Sequence, residues 1–226
     1  MKSYEEKLSM AILKSGALRF GEYELSSGRI SPYLLNTAMI NDGESFALES
    51  SAFGDKLTEI GNDKYDVLFG PTYKAIPISV GTAIQLQKEH GVSKRFAYNR
   101  KTPKEYGDPL DRLINEKLKT RDRIMIVDDV ITTGKTKKND IALLNSLNLD
   151  LEVVGILIGM DRKEVDENGN DPIKIFQEEI KVPVHHILDS PTMFELMHKK
   201  IFEGQLWIDE SKYNAFQEYH AKYGVR

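Results

Sequence analysis

Apolar residues recur at Leu8, Ala11 and Ile12 among polar neighbours, which predicts a helix over 4–15 with one buried face, stopped by Gly16. Short runs at 22–25 and 32–36 predict two strands around the turn Ser27-Gly28-Arg29. A second helix is expected over 45–60, closed by Gly61. From Asp66 onward, short apolar runs alternate with helical periodicity. Strand 66–69 precedes helix 75–90, and strand 95–99 leads into a polar loop over 101–122. Strand 124–127 precedes helix 135–147, and strand 151–158 leads into a charged loop over 164–171. Two more helices are expected at 193–199 and 210–219. Alternating strands and helices imply an α/β fold: a doubly wound, mainly parallel sheet flanked by helices. Ligands of such sheets sit beyond the carboxyl ends of the strands.

The 226 residues suffice for a full core and suit one domain with an appendage better than two equal domains. A net charge of −4 and a pI near 5.8 give a nucleic-acid partner no global attraction. The absence of cysteine excludes disulfides and thiolate metal sites and fits a reducing compartment. The opening Met1-Lys2-Ser3-Tyr4-Glu5-Glu6 lacks the apolar core of a signal peptide, and no apolar run reaches membrane-spanning length. The expectation is a cytoplasmic protein with neither a membrane nor a nucleic-acid partner.

The stretch that speaks most directly to chemistry runs Ile124-Met125-Ile126-Val127-Asp128-Asp129-Val130-Ile131-Thr132-Thr133-Gly134-Lys135-Thr136. A buried strand ends in two carboxylates, and a Thr/Gly turn opens a helix. At the carboxyl end of a parallel strand that order makes a phosphate cradle from backbone N–H groups and hydroxyls, with Gly134 letting the main chain come close. The carboxylates suit sugar hydroxyls or a metal-bound water, so together the features suit a ribose 5-phosphate. A nucleotide-binding P-loop is excluded, because the glycine it needs five positions before Gly134 is Asp129. One aspartate before a helix would be unremarkable capping; two after an apolar run, followed by this turn, are far rarer.

The same stretch resembles the phosphoribosyl pyrophosphate (PRPP) signature of type I phosphoribosyltransferases. Ser27-Gly28-Arg29-Ile30-Ser31-Pro32-Tyr33, Gly70-Pro71-Thr72-Tyr73-Lys74-Ala75-Ile76-Pro77, Tyr98-Asn99-Arg100-Lys101 and Asp161-Arg162 come in the order and spacing of one branch, the orotate phosphoribosyltransferases. The likeness runs from the first helix to Trp207. It implies a hood subdomain over 1–62, a PRPP-binding α/β core over 63–190 and a helical tail over 191–226 packing on the hood, effectively one domain. It also implies transfer of phosphoribosyl from PRPP to orotate, giving orotidine 5′-monophosphate and pyrophosphate in UMP biosynthesis. Mg2+ would be the cofactor, and a homodimer is expected whose lid loop 101–116 completes the neighbouring site.

The resemblance gives Asp128 and Asp129 to the ribose hydroxyls, directly or through Mg2+-bound water, so they are at most weak metal ligands. Thr132, Thr133, Gly134, Lys135 and Thr136 would hold the 5-phosphate, with Val130 and Ile131 in the same PRPP-binding stretch. Tyr73 and Lys74 would meet pyrophosphate. Arg100, Lys101, Lys104 and Tyr106 would reach PRPP from the lid, with Lys104 nearest the reaction. Ser26, Leu34, Leu35, Thr132 and Arg162 would form the orotate pocket. The catalytic set implied is Lys104, Arg100, Lys101, Asp128 and Asp129.

Some of these assignments have independent physical support beside a plainer alternative. An isolated lysine at a helix start is usually just solvated, yet Lys74 there opposes the helix dipole unless an anion is bound. Cations on a long polar loop are also usually solvated, though long irregular loops in compact α/β domains are often lids. An arginine after a strand, such as Arg162, serves either a salt bridge or planar recognition of a carboxylate. His185 and His186, adjacent on a strand, point to opposite faces and do not readily share an ion; packing is the expectation for them and for Trp207.

Three positions depart from the resembled family: Ser26 replaces a lysine, Tyr106-Gly107-Asp108-Pro109 replaces His-Gly-Glu-Gly, and Leu34-Leu35 replaces paired phenylalanines. Lys135 adds a cation within the phosphate turn. Two other functions fit the PRPP signature: a transferase for another base, against which the hood and Arg162 argue, and a non-catalytic PRPP sensor, against which the lid cations argue.

Overall fold

Val67, Phe69, Ile124, Ile126, Ile156 and Ile158 alternate along three strands with Leu68, Met125, Val127 and Leu157, and the two sets bury into two separate cores. Both faces of the sheet are therefore covered, which is why these strands read as continuous apolar runs. The computed structural model describes residues 2–25, 27–102, 118–131 and 134–226. Ser26, Lys104, Tyr106, Thr132, Thr133 and most of the expected lid lie outside the described residues.

After helix α1 (Ser3–Lys14), strands β1 (Leu18–Glu24) and β2 (Ile30–Leu35) form an antiparallel hairpin. Helix α2 (Gly43–Ile60) follows, its first turn capped by Asp42, which accepts from the N–H groups of Glu44 and Ser45. The central sheet then builds from β3 (Val67–Phe69), β4 (Arg95–Ala97), β5 (Arg123–Val130), β6 (Glu152–Asp161) and β7 (Val184–Asp189). Its order is β4-β3-β5-β6-β7, with every pairing parallel. Helices α3 (Ala75–His90), α4 (Lys135–Asn145) and α5 (Pro172–Ile180) are the crossovers. Helix α6 (Ser190–Met197), the short hairpin β8 (Ile201–Phe202) and β9 (Gln205–Leu206), and α7 (Glu210–Tyr223) complete the chain.

One core joins α1, α2, α3, α6 and α7 to one face of the sheet; the other lies beneath α4 and α5. Tyr33 of β2 sits among Phe194, Phe216 and Tyr219, with ring centroids 5.3 to 6.2 Å away. The hairpin is thereby packed onto α6 and α7.

The doubly wound α/β class is as expected, and the differences are local. Strand β1 starts four residues before the expected 22, because Leu18 pairs with Leu35 and is buried. Strand β5 runs past Val127 through both aspartates to Val130, since β6 continues beside it to Met160. The carboxylates thus belong to the strand itself. Helix α5 was not expected; its signals are Asp171 as cap, Pro172 in the first turn, and Ile173, Phe176 and Ile180 on one face.

Candidate active site

Two strand ends place the chemistry. At the end of β3, Gly70 admits no side chain: a Cβ there would lie 2.2 Å from the Ala75 carbonyl oxygen. The turn it allows is tied to the neighbouring strand end, where Asn99 Oδ1 accepts from the Thr72 N–H at 2.8 Å. Tyr73 and Lys74 follow, both more than half exposed. Lys101 Nζ lies 5.6 Å from the Tyr73 ring centroid, so the strand-end residues meet the first residues of the expected lid.

At the end of β5, Asp129 accepts from Thr37 Oγ1 at 2.5 Å and from Lys74 Nζ at 3.3 Å. Its other oxygen accepts from the Val130 N–H at 2.8 Å. Burial works against its charge, but the Thr37 hydroxyl, Lys74 and these neighbours hold Asp129 below the usual carboxylate range. Asp128 behaves oppositely. Burial pushes it up to about 6, although Lys137 pulls it down. Lys137 is itself buried, bonded to Asp128 and lying 3.2 Å from Asp140. The two adjacent aspartates are thus driven apart: Asp129 stays ionised with Lys74, and Asp128 sits over a buried ammonium.

Beyond these carboxylates is a hollow of about 180 Å³ lined by Asp128, Asp129, Val130, Ile131, Gly134, Thr136 and Lys137, at the start of α4. It lies where the cradle was expected. Gly134 has φ +71°, and a Cβ on it would stand 2.3 Å from Phe176 of α5. Its role is therefore a left-handed turn packed hard against a helix, a stronger constraint than close approach to a ligand alone. Lys135 and Thr136 are exposed at the rim. A larger cavity of about 470 Å³ adjoins Lys74 and Asp129 and is walled by Thr37, Ile40, Phe46, Glu49 and Ile78. Glu49 is 4% exposed, and burial, aided by the nearby Asp129 charge, pushes it up to about 8.

On the far side, Arg162 follows β6 directly. Its guanidinium lies 4.5 Å from the Tyr33 ring centroid and donates to Glu164 Oε1 from Nε and NH2, at 2.9 and 2.6 Å. Of the two alternatives posed by the sequence the structure shows the salt bridge, and Arg162 also faces the hairpin strand that carries Leu34 and Leu35. Arg100 sits just beyond β4. His185 and His186 share no ligand geometry: His186 contacts Asp161 and Asp189, at 3.8 and 3.6 Å, while burial lowers the basicity of His185. Asp55, Glu89 and His90 bring possible ligand atoms within 4.8 Å of one another, but Lys7 Nζ fills that cluster, 2.8 Å from Asp55. Trp207 is a packing residue whose ring N–H donates to the Phe202 carbonyl.

Sequence reasoning missed Thr37, Glu49, Lys137, Asp140 and Glu164. Lys137 and Asp140 carried a signal, an oppositely charged i,i+3 pair in the first turns of a helix. In sequence such a pair is indistinguishable from a solvated helix face.

The phosphoribosyl transferase domain family matches residues 37–189, two-thirds of the chain and the whole of the sheet. Orotate phosphoribosyltransferase from Acinetobacter baumannii is 36% identical over 213 residues, covering 94% of this chain and 93% of the relative. The orotate phosphoribosyltransferase of Clostridium acetobutylicum is 30% identical with both chains covered in full. This chain belongs to the orotate phosphoribosyltransferase family. The crystal structure of the Francisella tularensis orotate phosphoribosyltransferase superposes with a TM-score of 0.78 at 26% identity, over 95% of this chain and 98% of that one.

Proposed function

We infer that this protein transfers the 5-phosphoribosyl group of PRPP to orotate, releasing pyrophosphate and forming orotidine 5′-monophosphate, as a Mg2+-dependent cytoplasmic homodimer. The observation that carries the reading is the joining of Asp128 and Asp129 to a phosphate-sized hollow at the start of α4, with Lys74 bonded across to Asp129.

A ring nitrogen of orotate, giving up its proton, forms the new bond to the anomeric carbon while the carbon–oxygen bond to pyrophosphate breaks; the electron pair leaves with pyrophosphate, and the proton passes to it or to solvent. Positive charge develops on the sugar, so the protein must hold the ribose, neutralise the leaving group and exclude water. The turn 130–136 and its N–H groups receive the 5-phosphate. Asp128 and Asp129 meet the ribose hydroxyls, their charge also favouring the developing oxocarbenium. Lys74 and Tyr73 receive pyrophosphate, with Arg100 and Lys101 bringing further cations at the end of β4 and Lys104 brought by the lid of the partner subunit. Leu34, Leu35 and Arg162 meet the base.

The donor set fits Mg2+ through water more than directly. Asp129 has both oxygens engaged and Asp128 is paired with Lys137, so substrate oxygens and water would make up most of its ligands. When bound, the ion supplies charge neutralisation to the pyrophosphate being displaced.

The test is orotate absorbance followed in purified protein with PRPP and Mg2+, with uracil, hypoxanthine and adenine in parallel. Orotate loss requiring both PRPP and Mg2+ is the expected result. Turnover of a purine would reassign the base, and no turnover by protein that binds PRPP would make it a sensor.

A further inference from the structure

Segments remote in sequence converge on residues 162–166. After α7 the chain turns back and pairs with this loop: Glu164 bridges Gly224 in antiparallel fashion, the Val165 N–H donates to the Tyr223 carbonyl at 2.9 Å, and the Val225 N–H donates to the Lys163 carbonyl at 2.9 Å. A side chain on Gly224 would meet the His220 carbonyl oxygen at 2.5 Å, so only glycine lets the chain leave the helix on this path. Arg29, from the hairpin turn, donates to the carbonyls of Val165 and Asp166 at 2.8 and 3.0 Å and lies 4.7 Å from the centroid of the Tyr223 ring.

At the centre is Glu164. Its Oε1 accepts from Arg162 and from the Tyr33 hydroxyl at 3.3 Å, and its Oε2 accepts from the Tyr219 hydroxyl at 3.2 Å. Arg29 NH1 stands 4.0 Å from the same carboxylate, so two guanidiniums share one acid. The NH1 group of Arg162 takes no part in the bond to Glu164, and the Tyr219 hydroxyl also interacts with the guanidinium. A guanidinium held through Nε and NH2 and stacked on an aromatic face is prepared for a planar anionic group.

We propose that the strap formed by Tyr219 and residues 223–225 is a positioning element for base recognition: it fixes Glu164, and through it the Arg162 guanidinium, in the orientation that meets the carboxylate of the aromatic acid substrate. This rests on the reading that Arg162 binds the base. Holding a long side chain in its bound geometry before substrate arrives removes an entropic cost from binding, and that benefit falls on one substrate only. The PRPP-binding strand ends at β3 and β5 make none of these contacts.

The test compares full-length protein with Tyr219→Phe, with deletion of residues 224–226 and with Arg162→Lys, measuring kcat and the KM of each substrate. Each strap variant is expected to raise the KM for orotate about fivefold to tenfold, the scale of one ordinary hydrogen bond, with kcat and the KM for PRPP within about twofold. Unchanged orotate KM in the strap variants while Arg162→Lys raises it would overturn the strap and leave Arg162 in place. An unaffected orotate KM in Arg162→Lys would overturn the assignment of Arg162 and the proposal with it. Parallel rises in both KM values would mark the strap as general scaffolding and overturn its positioning role. Should the deletion fail to fold, Tyr219→Phe, which removes a single hydroxyl, decides the matter.

Discussion

Lys137 is buried directly behind the strand-end acids, with its ammonium paired to Asp128 and 3.2 Å from Asp140. A carboxylate expected at the sugar therefore rests on a buried cation supplied by the helix that follows the turn at Gly134.

Removing that cation without changing the volume much, as in Lys137→Met, leaves two buried acids without their counter-charge. Breaking a buried pair from one side costs about 3–5 kcal/mol, and urea unfolding should show a loss on that scale. Asp128, already pushed up to about 6 by burial, rises further once Lys137 no longer lowers it. The acidic limb of the kcat/KM–pH profile should move to higher pH. An unshifted limb would separate Asp128 from the rate.

Glu49 supplies a pH dependence of stability. Its carboxyl, 4% exposed, is raised to about 8 against an ordinary value of 4.5. Below pH 4.5 it is protonated folded and unfolded alike. Between 4.5 and 8 the unfolded chain releases a proton that the native state keeps, so stability falls as pH rises, by about 1.4 kcal/mol per unit at most. Above 8 the loss is complete. Glu49→Gln, a neutral isostere, should gain little at pH 4.5 and a few kcal/mol at pH 8. A constant difference between the variants across that range in denaturant melts would show that Glu49 does not hold its proton.

The two crowded glycines should be intolerant for different reasons. Gly70→Ala drives a methyl into backbone, 2.2 Å from the Ala75 carbonyl oxygen, so the turn carrying Tyr73 and Lys74 must shift. Gly134→Ala meets the Phe176 ring and also demands a left-handed backbone of an alanine. Each should destabilise the fold by about 1–3 kcal/mol or more. PRPP affinity, measured by calorimetry on protein that remains folded, should fall at least tenfold. Retained affinity in Gly134→Ala would remove the turn from the phosphate site.

A lid shared between subunits makes a prediction about mixtures. Lys104→Ala and Asp129→Asn homodimers should each be nearly inactive. Mixed and allowed to exchange subunits, they should recover part of the wild-type rate, because one site of each heterodimer is intact. No recovery, with exchange confirmed by mass spectrometry of differently tagged chains, would confine each site to one subunit.

Much of the site was legible because it is local in sequence. The carboxylate pair, the turn and the helix start lie within 128–136, and strand and helix periodicities on either side determine where such a segment must sit in a parallel sheet. The Lys74 turn was legible for the same reason. Helix α5 escaped notice because its nine residues show a short apolar stripe behind a charged loop. Lys137 escaped because an ammonium on a polar helix reads as solvated until the helix's docking buries it.

The sequence by itself determined the parallel α/β class, the order of its strands along the chain and the placing of a Thr/Gly turn and a helix start beside two acids. Those are properties of periodicity and of neighbours in the chain. Only the tertiary structure decided that Asp129 is held by Thr37 and Lys74 while Asp128 sits over Lys137, that Glu49 is buried beside them, and that Glu164 and the strap beyond α7 fix Arg162. Charge state and orientation depend on burial and on partners as far as 131 residues apart, as Tyr33 and Glu164 are. No local pattern encodes such pairs; the packing of the hairpin and α7 against the sheet brings them together.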